Sequence, residues 1–206
     1  ADQINVSGDF ITQSTSSNYS TYFSNDFTAG TLTIKGNFSQ FYGTNCGGQN
    51  FVASGTHKVV LDGNGVQTVT FESSQSHLNE LVVGTDTRLY WRGDFVINPL
   101  LHDLTIYNSV TMSSANTINL NGHTLTIKGD LIQAGGTMYC NNGTLNVEGD
   151  YRIQEATTDN DGNTVYDYSD GNLRMVNEAD RVNVSGDFIM QSCFSNVTTY
   201  FSNDFT

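Results

Sequence analysis

The stretch that decides the fold occurs twice, as GHTLTIKGDLIQ over residues 122–133 and as GTLNVEGDYRIQ over residues 143–154. In each copy polar and apolar residues alternate up to a Gly-Asp pair, at Gly129 and at Gly149, which is typical of a short strand that ends at a tight corner. A short two-faced strand buries its apolar side only when another copy stacks on it. The repetition therefore predicts an all-β parallel solenoid.

A longer repeat contains this short one. Residues 2–28 return as residues 180–206 with most aligned positions identical, and both copies end in TYFSNDFT. The chain thus holds one long repeat, residues 2–179, and the beginning of the next, residues 180–206. We predict one continuous solenoid segment over residues 1–206, with about eight to nine irregular coils. Because the chain lacks an initial Met and a signal peptide, we expect it to belong to a longer protein.

The corner motif is Gly followed by Asp or Asn. It occurs at Gly8, Gly36, Gly93, Gly129, Gly149 and Gly186. The short intervals, 8–36 and 129–149, suit single coils, whereas the longer intervals suit two coils or one coil with a loop. We expect glycine to supply a positive φ at each corner, and the next residue to bond back to the turn. The glutamines that close the motif would form an amide ladder: Gln13, Gln40, Gln133, Gln154 and Gln191.

Composition excludes several classes of partner. The chain has 206 residues, 21 acidic and 8 basic, which gives a formal net charge of −13. This charge opposes binding to nucleic acid or to an anionic membrane surface. No apolar run is long enough to span a bilayer, so we expect no membrane insertion in this segment. Cys46, Cys140 and Cys193 match no metal-binding spacing, and their odd number leaves at least one of them unpaired.

An acidic stretch, DNDGNTVYDYSD over residues 159–170, is the candidate metal site. It places oxygen-bearing side chains at loop positions 1, 3, 5, 9 and 12: Asp159, Asp161, Asn163, Asp167 and Asp170. The spacing resembles a calcium loop, although Gly stands at position 4 instead of 6 and Asp replaces the bidentate Glu at position 12. A solvated acidic turn is the alternative interpretation. No other cofactor is predicted.

Carboxylates on the side of a parallel β-helix are also where enzymes of this architecture act. The candidates are Asp62, Glu72, Glu80, Asp94 and Asp103, with His57, His77, His102 or His123 as partners. Glycoside hydrolysis needs two carboxylates at a controlled separation, one of them with a raised pKa. Nothing in the sequence pairs these residues in that way, so we predict no catalytic site and no enzyme.

Aromatic side chains form a third group of candidates, because aromatic faces suit the apolar faces of sugars. They are Tyr19, Tyr22, Phe23, Phe27, Phe41, Tyr42, Tyr90, Trp91, Tyr166 and Tyr168. Packing in the core is the alternative, and it is the better account of Phe23 and Phe27, which return as Phe201 and Phe205. For Tyr166 and Tyr168, on the acidic stretch, both interpretations stay open.

Two phrases carry a family resemblance, GTLTIKGNFSQ over residues 30–40 and ASGTHKVVLDGNGVQTV over residues 53–69. They are similar to repeats of giant bacterial secreted and cell-surface proteins, a group that resembles filamentous-haemagglutinin-like adhesins and toxin-delivery stalks. The resemblance implies a right-handed parallel β-helix and an extracellular or cell-surface location. It carries no catalytic residues.

These observations together predict a structural segment of an extracellular, repeat-built fibre or stalk that projects a distal functional module. Its partners would be neighbouring repeats of the same chain and, at the surface, host or microbial glycans. A carbohydrate-binding or polysaccharide-degrading β-helix is the alternative.

Overall fold

The computed structural model describes residues 2–14, 26–43, 48–114 and 116–191. These residues are all-β, and no helix occurs among them. The chain divides into two compact units, Ala1–His102 and Asp103–Thr206, which we call the first and the second unit. The all-β class is therefore confirmed, whereas one continuous segment over residues 1–206 stays a prediction.

The first unit consists of parallel strands that stack coil upon coil. Its strands are β1 (Gln3–Val6), β2 (Phe10–Ser14), β3 (Asp26–Phe27), β4 (Thr31–Ile34), β5 (Phe38–Tyr42), β6 (Val52–Ala53), β7 (Lys58–Leu61), β8 (Gly65–Phe71), β9 (Glu80–Val83) and β10 (Thr87–Gly93). Within the unit they pair in the orders β1-β4-β7-β9, β2-β5-β8-β10 and β3-β6. Each circuit of the chain, here called a coil, thus adds strands to these sheets, as in a solenoid.

The register of this unit lines up its apolar residues. Ile4 pairs with Leu32, Leu32 with Val59 and Val59 with Leu81. The last three of these side chains are buried. Alternation along each strand sends its neighbours to the other face, so every coil adds one residue to the same apolar ladder.

The second unit repeats this arrangement with shorter coils. Its strands are β11 (Leu104–Ile106), β12 (Val110–Met112), β13 (Thr117–Asn119), β14 (Thr124–Ile127), β15 (Leu131–Gln133), β16 (Thr137–Tyr139), β17 (Thr144–Val147), β18 (Tyr151–Ile153), β19 (Glu155–Thr158), β20 (Thr164–Asp167), β21 (Asn172–Arg174), β22 (Arg181–Val184) and β23 (Phe188–Met190). Parallel pairing runs β11-β14-β17-β22, β12-β15-β18-β23 and β13-β16-β21, and β19 and β20 form an antiparallel hairpin. Leu104, Leu125, Leu145 and Val182 are in register and form the ladder of this unit.

The two copies of the repeated stretch, residues 122–133 and 143–154, therefore stack on each other in parallel, with Leu125 on Leu145 and Ile127 on Val147. The long interval between the corners at Gly149 and Gly186 is one coil, which carries the hairpin as an insertion between β18 and β21. The short interval from Gly129 to Gly149 is thus a single coil, and the long interval from Gly149 to Gly186 is one coil with a loop, as the spacing of the corner glycines allowed.

The Gly-Asp corners join one coil to the next. Asp9 Oδ1 accepts a hydrogen bond from the Asn37 N–H at 2.6 Å, and Asp130 Oδ1 accepts one from the Asp150 N–H at 2.9 Å. Asp150 Oδ1 in turn accepts the N–H of Asp187 at 2.9 Å. The expectation that the Asp bonds back to its own turn is therefore wrong at these corners, since the bond reaches the following coil.

The reason for glycine at these corners also differs from the expectation. A Cβ at Gly149 would lie 2.2 Å from Asp130 Oδ1, and one at Gly186 would lie 2.4 Å from Asp150 Oδ1. Neither glycine has a positive φ. The corner thus needs glycine because the carboxylate of the preceding coil occupies the space of a side chain.

Gly93 is the exception among the predicted corners. It ends β10, after the second strand of its coil, whereas the other corners separate the first strand from the second. Its φ is +76°, and a Cβ there would lie 1.8 Å from the carbonyl oxygen of Phe71. Gly93 thus has the positive φ that was expected of the corner glycines, although it follows the second strand of its coil.

The closing glutamines form a ladder at one step among the described residues. Gln154 Nε2 donates to Gln191 Oε1 at 2.6 Å. Gln133 Oε1 accepts the hydroxyl of Tyr151 at 2.6 Å, and Gln40 Oε1 accepts the backbone N–H groups after β8. Because buried polar groups need hydrogen-bond partners, the buried glutamines serve mainly to satisfy the corners around them.

Candidate functional site

A surface groove in the first unit contains three of the predicted residues, Tyr42, Glu72 and Asp94. It is open to solvent, has a volume of about 620 Å³ and is lined by Tyr42, Thr70, Phe71, Glu72, Gly93 and Asp94. Tyr42 ends β5, Glu72 follows β8, and Asp94 follows β10. Since these strands are parallel neighbours, their carboxyl ends meet at one edge.

Two hydrogen bonds fix the positions of residues that line or adjoin this groove. Glu72 Oε2 accepts the backbone N–H of Tyr42 at 3.2 Å, and the indole Nε1 of Trp91 donates to the Asp94 carbonyl at 2.9 Å. The missing side chain at Gly93 lets its backbone approach the Phe71 carbonyl. The groove thus presents a tyrosine ring, 43% exposed, beside two carboxylates on adjacent coils. Such a set can accept hydrogen bonds from hydroxyl groups and stack on an apolar face.

A second polar cluster surrounds Glu80. Glu80 Oε1 accepts hydrogen bonds from Lys58 Nζ at 2.9 Å and from His102 Nε2 at 2.8 Å. Burial by itself would raise the pKa of Glu80, but the hydrogen bonds and charges of His102 and Lys58 outweigh it, so the pKa is lowered. Glu80 is therefore held ionised, which suits an ion pair and not a general acid.

The other candidate carboxylates and histidines are not among the residues that line the groove. Asp62 forms an ion pair with Lys35, and Asp103 accepts the Thr124 N–H at 2.7 Å with His123 Nδ1 at 3.7 Å. His57 is buried, and its ring packs 5.0 Å from that of Phe27 and 5.9 Å from that of Phe51.

Burial lowers the pKa of His57 and keeps it neutral. The backbone N–H of His77 donates to the Phe51 carbonyl in a β-bridge region, where it takes part in the stacking of coils. The structure therefore does not bring these histidines to the groove carboxylates.

The predicted calcium loop folds as the tip and far strand of the hairpin. Asp159 Oδ1 accepts the backbone N–H groups of Asp161 at 2.9 Å and of Asn163 at 2.8 Å, which closes the tip. These bonds, that from Asn163 first, lower the pKa of Asp159. Asp167 pairs with Glu155 at the opposite end of the strands, and Asp170 lies beyond it.

The hairpin register thus separates Asp167 and Asp170 from the three residues at the tip. Within the described ranges, no three or more His, Cys, Asp or Glu side chains form a group that could hold a metal ion. Calcium binding by this stretch stays a prediction.

The predicted aromatic candidates divide between core and surface. Tyr19, Tyr22 and Phe23, with the later copies Phe201 and Phe205, lie outside the described residues. Trp91 is buried, and Phe27 stacks on Phe51 with ring centroids 4.7 Å apart, so these two belong to the packing. Phe41 and Tyr90 are partly buried, whereas Tyr42, Tyr166 and Tyr168 are exposed.

Of the cysteines, the structure describes Cys140, which is buried and has a free thiol. Burial, assisted by the charge of Asp180, raises the pKa of this thiol to about 12. Cys140 therefore stays protonated and unreactive near neutral pH. Cys46 and Cys193 lie outside the described residues.

Sequence reasoning named Glu80 and His102 but did not pair them, and it missed Lys58 and the part that Thr70 and Gly93 play in the groove. The contact between Lys58 and Glu80 follows from the strand pairing, because the two residues occupy paired positions of β7 and β9. It could be predicted from the sequence only if the register of these strands were known.

Comparison of the chain with protein-family models, with curated proteins and with solved structures finds no match. Among the residues that the structure describes, no helix has the length and apolar character needed to cross a membrane.

Proposed function

We propose that this chain is a structural segment of an extracellular fibre or stalk, built as a right-handed parallel β-helix, which projects a distal functional module. The proposal is supported mainly by one observation. The repeated stretch at residues 2–14 and 180–191 uses different surfaces in its two copies.

The first copy bonds to the coil that follows it. β1 pairs with β4, so that Ile4 faces Leu32, and β2 pairs with β5, so that Phe10 faces Phe38. The rings of Phe10 and Phe38 stack with centroids 5.4 Å apart. Ile4 nevertheless stays 52% exposed, because its other side has no coil against it among the described residues.

The second copy bonds to the coil that precedes it. β22 pairs with β17, so that Val182 faces Leu145, and β23 pairs with β18, so that Phe188 faces Tyr151. The rings of Tyr151 and Phe188 lie 5.1 Å apart, and Phe188 stays 46% exposed.

One sequence therefore carries both contact surfaces. In a tandem array, each internal copy would pair with the Leu145 and Tyr151 type of coil on one side and with the Leu32 and Phe38 type on the other. The apolar side chains left exposed in each copy would then be buried. Tandem repeats would extend the stack by one unit each, as nearest-neighbour contacts do in solenoid proteins.

Two corner glycines provide a matched test of the contact between one repeat and the next. Gly8 and Gly186 are equivalent in the two copies, but a Cβ at Gly8 meets nothing within 4 Å, whereas one at Gly186 meets Asp150 Oδ1 at 2.4 Å. We expect Gly186→Ala to lower the free energy of unfolding by about 1–2 kcal/mol, and Gly8→Ala to change it by less than about 0.5 kcal/mol.

A tandem protein made of residues 1–206 followed by residues 29–206 extends the test. We expect its amides at residues 182–184 to be more protected from hydrogen exchange than in the single chain. Its largest dimension in small-angle X-ray scattering should grow in proportion to the number of repeats. Two repeats that melt independently, with no added protection, would show that the copies are joined by a hinge.

The groove supports a second candidate function, the binding of a neutral glycan. It places the exposed ring of Tyr42 next to Glu72 and Asp94, which can accept hydrogen bonds from sugar hydroxyls. A glycan array with the chain and with Tyr42→Ala tests this candidate. Signals that persist unchanged in the variant would locate binding elsewhere.

A further inference from the structure

The hairpin of the second unit takes no part in the buried core. β19 pairs with β20 so that Ala156 faces Tyr166 and Glu155 faces Asp167, and all residues of the two strands are exposed. Among the described strands it is the one antiparallel pair, and neither of its outer edges pairs with another strand. An isolated two-stranded hairpin is marginally stable in water. The hairpin adds no strand to the ladders of stacked coils, which points to a role at the surface.

Arg152 holds the hairpin against the stack. Its guanidinium lies 4.5 Å from the centre of the Tyr166 ring, and its Nη2 donates to Asp150 Oδ2 at 2.7 Å. Because successive residues of a strand point to opposite faces, the face of the hairpin that carries Tyr166 is turned to Arg152. The other face, with Glu155, Thr157, Val165 and Asp167, therefore points away from Arg152.

This outer face combines apolar surface with strand edges. Val165 is 40% exposed, and Thr157, which pairs with it on the same face, is exposed as well. Exposed β-strand edges with adjacent apolar side chains are the surface that an extended peptide uses when it adds a strand to a sheet.

The negative charge of the hairpin favours a basic peptide. Residues 155–170 contain five carboxylates and no Lys, Arg or His. Glu155 and Asp167 stand directly opposite each other, an arrangement of like charges that is unfavourable in an antiparallel pair. The nearby Arg152 does not neutralise this pair, because it is bound to Asp150.

We propose that the hairpin 155–170 is a docking surface for a basic, extended peptide segment of another protein. The segment adds as a strand to an open edge of the hairpin. Its lysine or arginine side chains face Glu155 and Asp167, and its apolar side chains lie against Val165 and the methyl group of Thr157. This role is independent of tandem stacking, since the hairpin lies outside the ladder of coils.

The test uses the full chain and a fluorescent peptide of alternating lysine and threonine, with binding followed by anisotropy. A peptide with glutamate in place of lysine is the probe control. The test variant is the pair Glu155→Gln and Asp167→Asn. The matched control is the pair Asp86→Asn and Glu178→Gln, which removes the same charge at exposed positions outside the hairpin.

We expect saturable binding of the lysine peptide, weakened about tenfold by the hairpin pair and less than about twofold by the control pair. An equal loss in both pairs, or equal binding of the glutamate peptide, would overturn the proposal. So would displacement of the peptide by millimolar calcium chloride that requires Asp159, an outcome that would instead support the predicted calcium loop.

Discussion

The wide coils of the first unit and the narrow coils of the second unit use the same corner but different cores. Equivalent residues of adjacent coils are 28 residues apart at Asp9 and Asn37, but only 20 residues apart at Asp130 and Asp150. Protein interiors are packed without large voids, so the side chains of each unit must fill the volume inside its own coils.

Aromatic rings fill that volume in the first unit. Phe38 stacks on Phe71 at 5.2 Å and Phe71 on Trp91 at 5.9 Å, while Phe51 contacts Phe38 edge-on at 4.9 Å. The corresponding ladders of the second unit consist largely of aliphatic side chains, including Leu125, Ile127, Leu131, Leu145 and Val147. The first unit thus has a core rich in rings and the second unit a largely aliphatic one.

The wide coils also enclose polar groups. Asn50 is buried, and its Nδ2 donates to the Phe41 carbonyl at 2.7 Å. Ser76 Oγ accepts the N–H groups of Asn50 and Phe51, both at 3.1 Å. These bonds close the third side of the coil, where the strands are short.

The largest expected effect comes from removing a ring in the wide coils. Phe51→Ala should lower the free energy of unfolding by about 3–5 kcal/mol, because Phe51 is fully buried among other rings. Urea unfolding measures this loss, and Val66→Ala, at a position 53% exposed, is the control. A loss below about 1 kcal/mol would mean that the wide coils are loosely packed and that the comparison fails.

A smaller effect is expected where the two units are alike. Asp130→Ala removes the acceptor for the Asp150 N–H, and Asp9→Ala removes the acceptor for the Asn37 N–H. Each should lower the free energy of unfolding by about 0.5–1.5 kcal/mol, whereas Asp130→Asn keeps an acceptor and should lower it less. Effects in one unit alone, measured by urea unfolding, would show that the corner bond stabilises narrow and wide coils differently.

The smallest effect should appear in the dependence of stability on pH. The N–H of Asp187 and the side chain of Arg152 lower the pKa of Asp150, and Glu80 in the first unit also has a lowered pKa. A carboxyl with a lowered pKa in the folded state stabilises the fold above its ordinary pKa and ceases to do so as pH falls through the folded value.

The melting temperature should therefore decrease as the pH falls below about 4. Asp150→Asn and Glu80→Gln should melt below the parent chain at pH 7 and approach it at low pH. A difference that stays constant from neutral to strongly acidic pH would assign the stabilisation to uncharged contacts.

Part of this structure was predictable from the sequence, because it depends on local periodicity. The alternation in residues 122–133 and 143–154 predicted strands that stack in parallel. The interval from Gly149 to Gly186 predicted either two coils or one coil with a loop, and the structure has one coil with the hairpin inserted. The role of glycine at Gly149 and Gly186 was not predictable in the same way. It depends on the Asp side chain of the preceding coil, which is close in space but distant along the chain.

The candidate site was likewise predictable in its residue types but not in its geometry. Tyr42, Glu72 and Asp94 were each named from residue type, yet they are far apart in the sequence, and only the register of β5, β8 and β10 brings them to one groove. Conversely, Asp159 to Asp170 looked like one loop in sequence, but the hairpin register divides it.

The sequence by itself determined that the chain is all-β, that its coils are unequal and that its opening stretch returns from residue 180 onward. Those properties follow from the spacing of apolar residues and glycines along the chain. The tertiary structure alone decided which side chains meet across coils: the Asp to N–H bonds at the corners, the ring ladder, and the turning of Glu155 and Asp167 away from Arg152. Contacts between coils depend on register, and register is set by the packing of the whole stack.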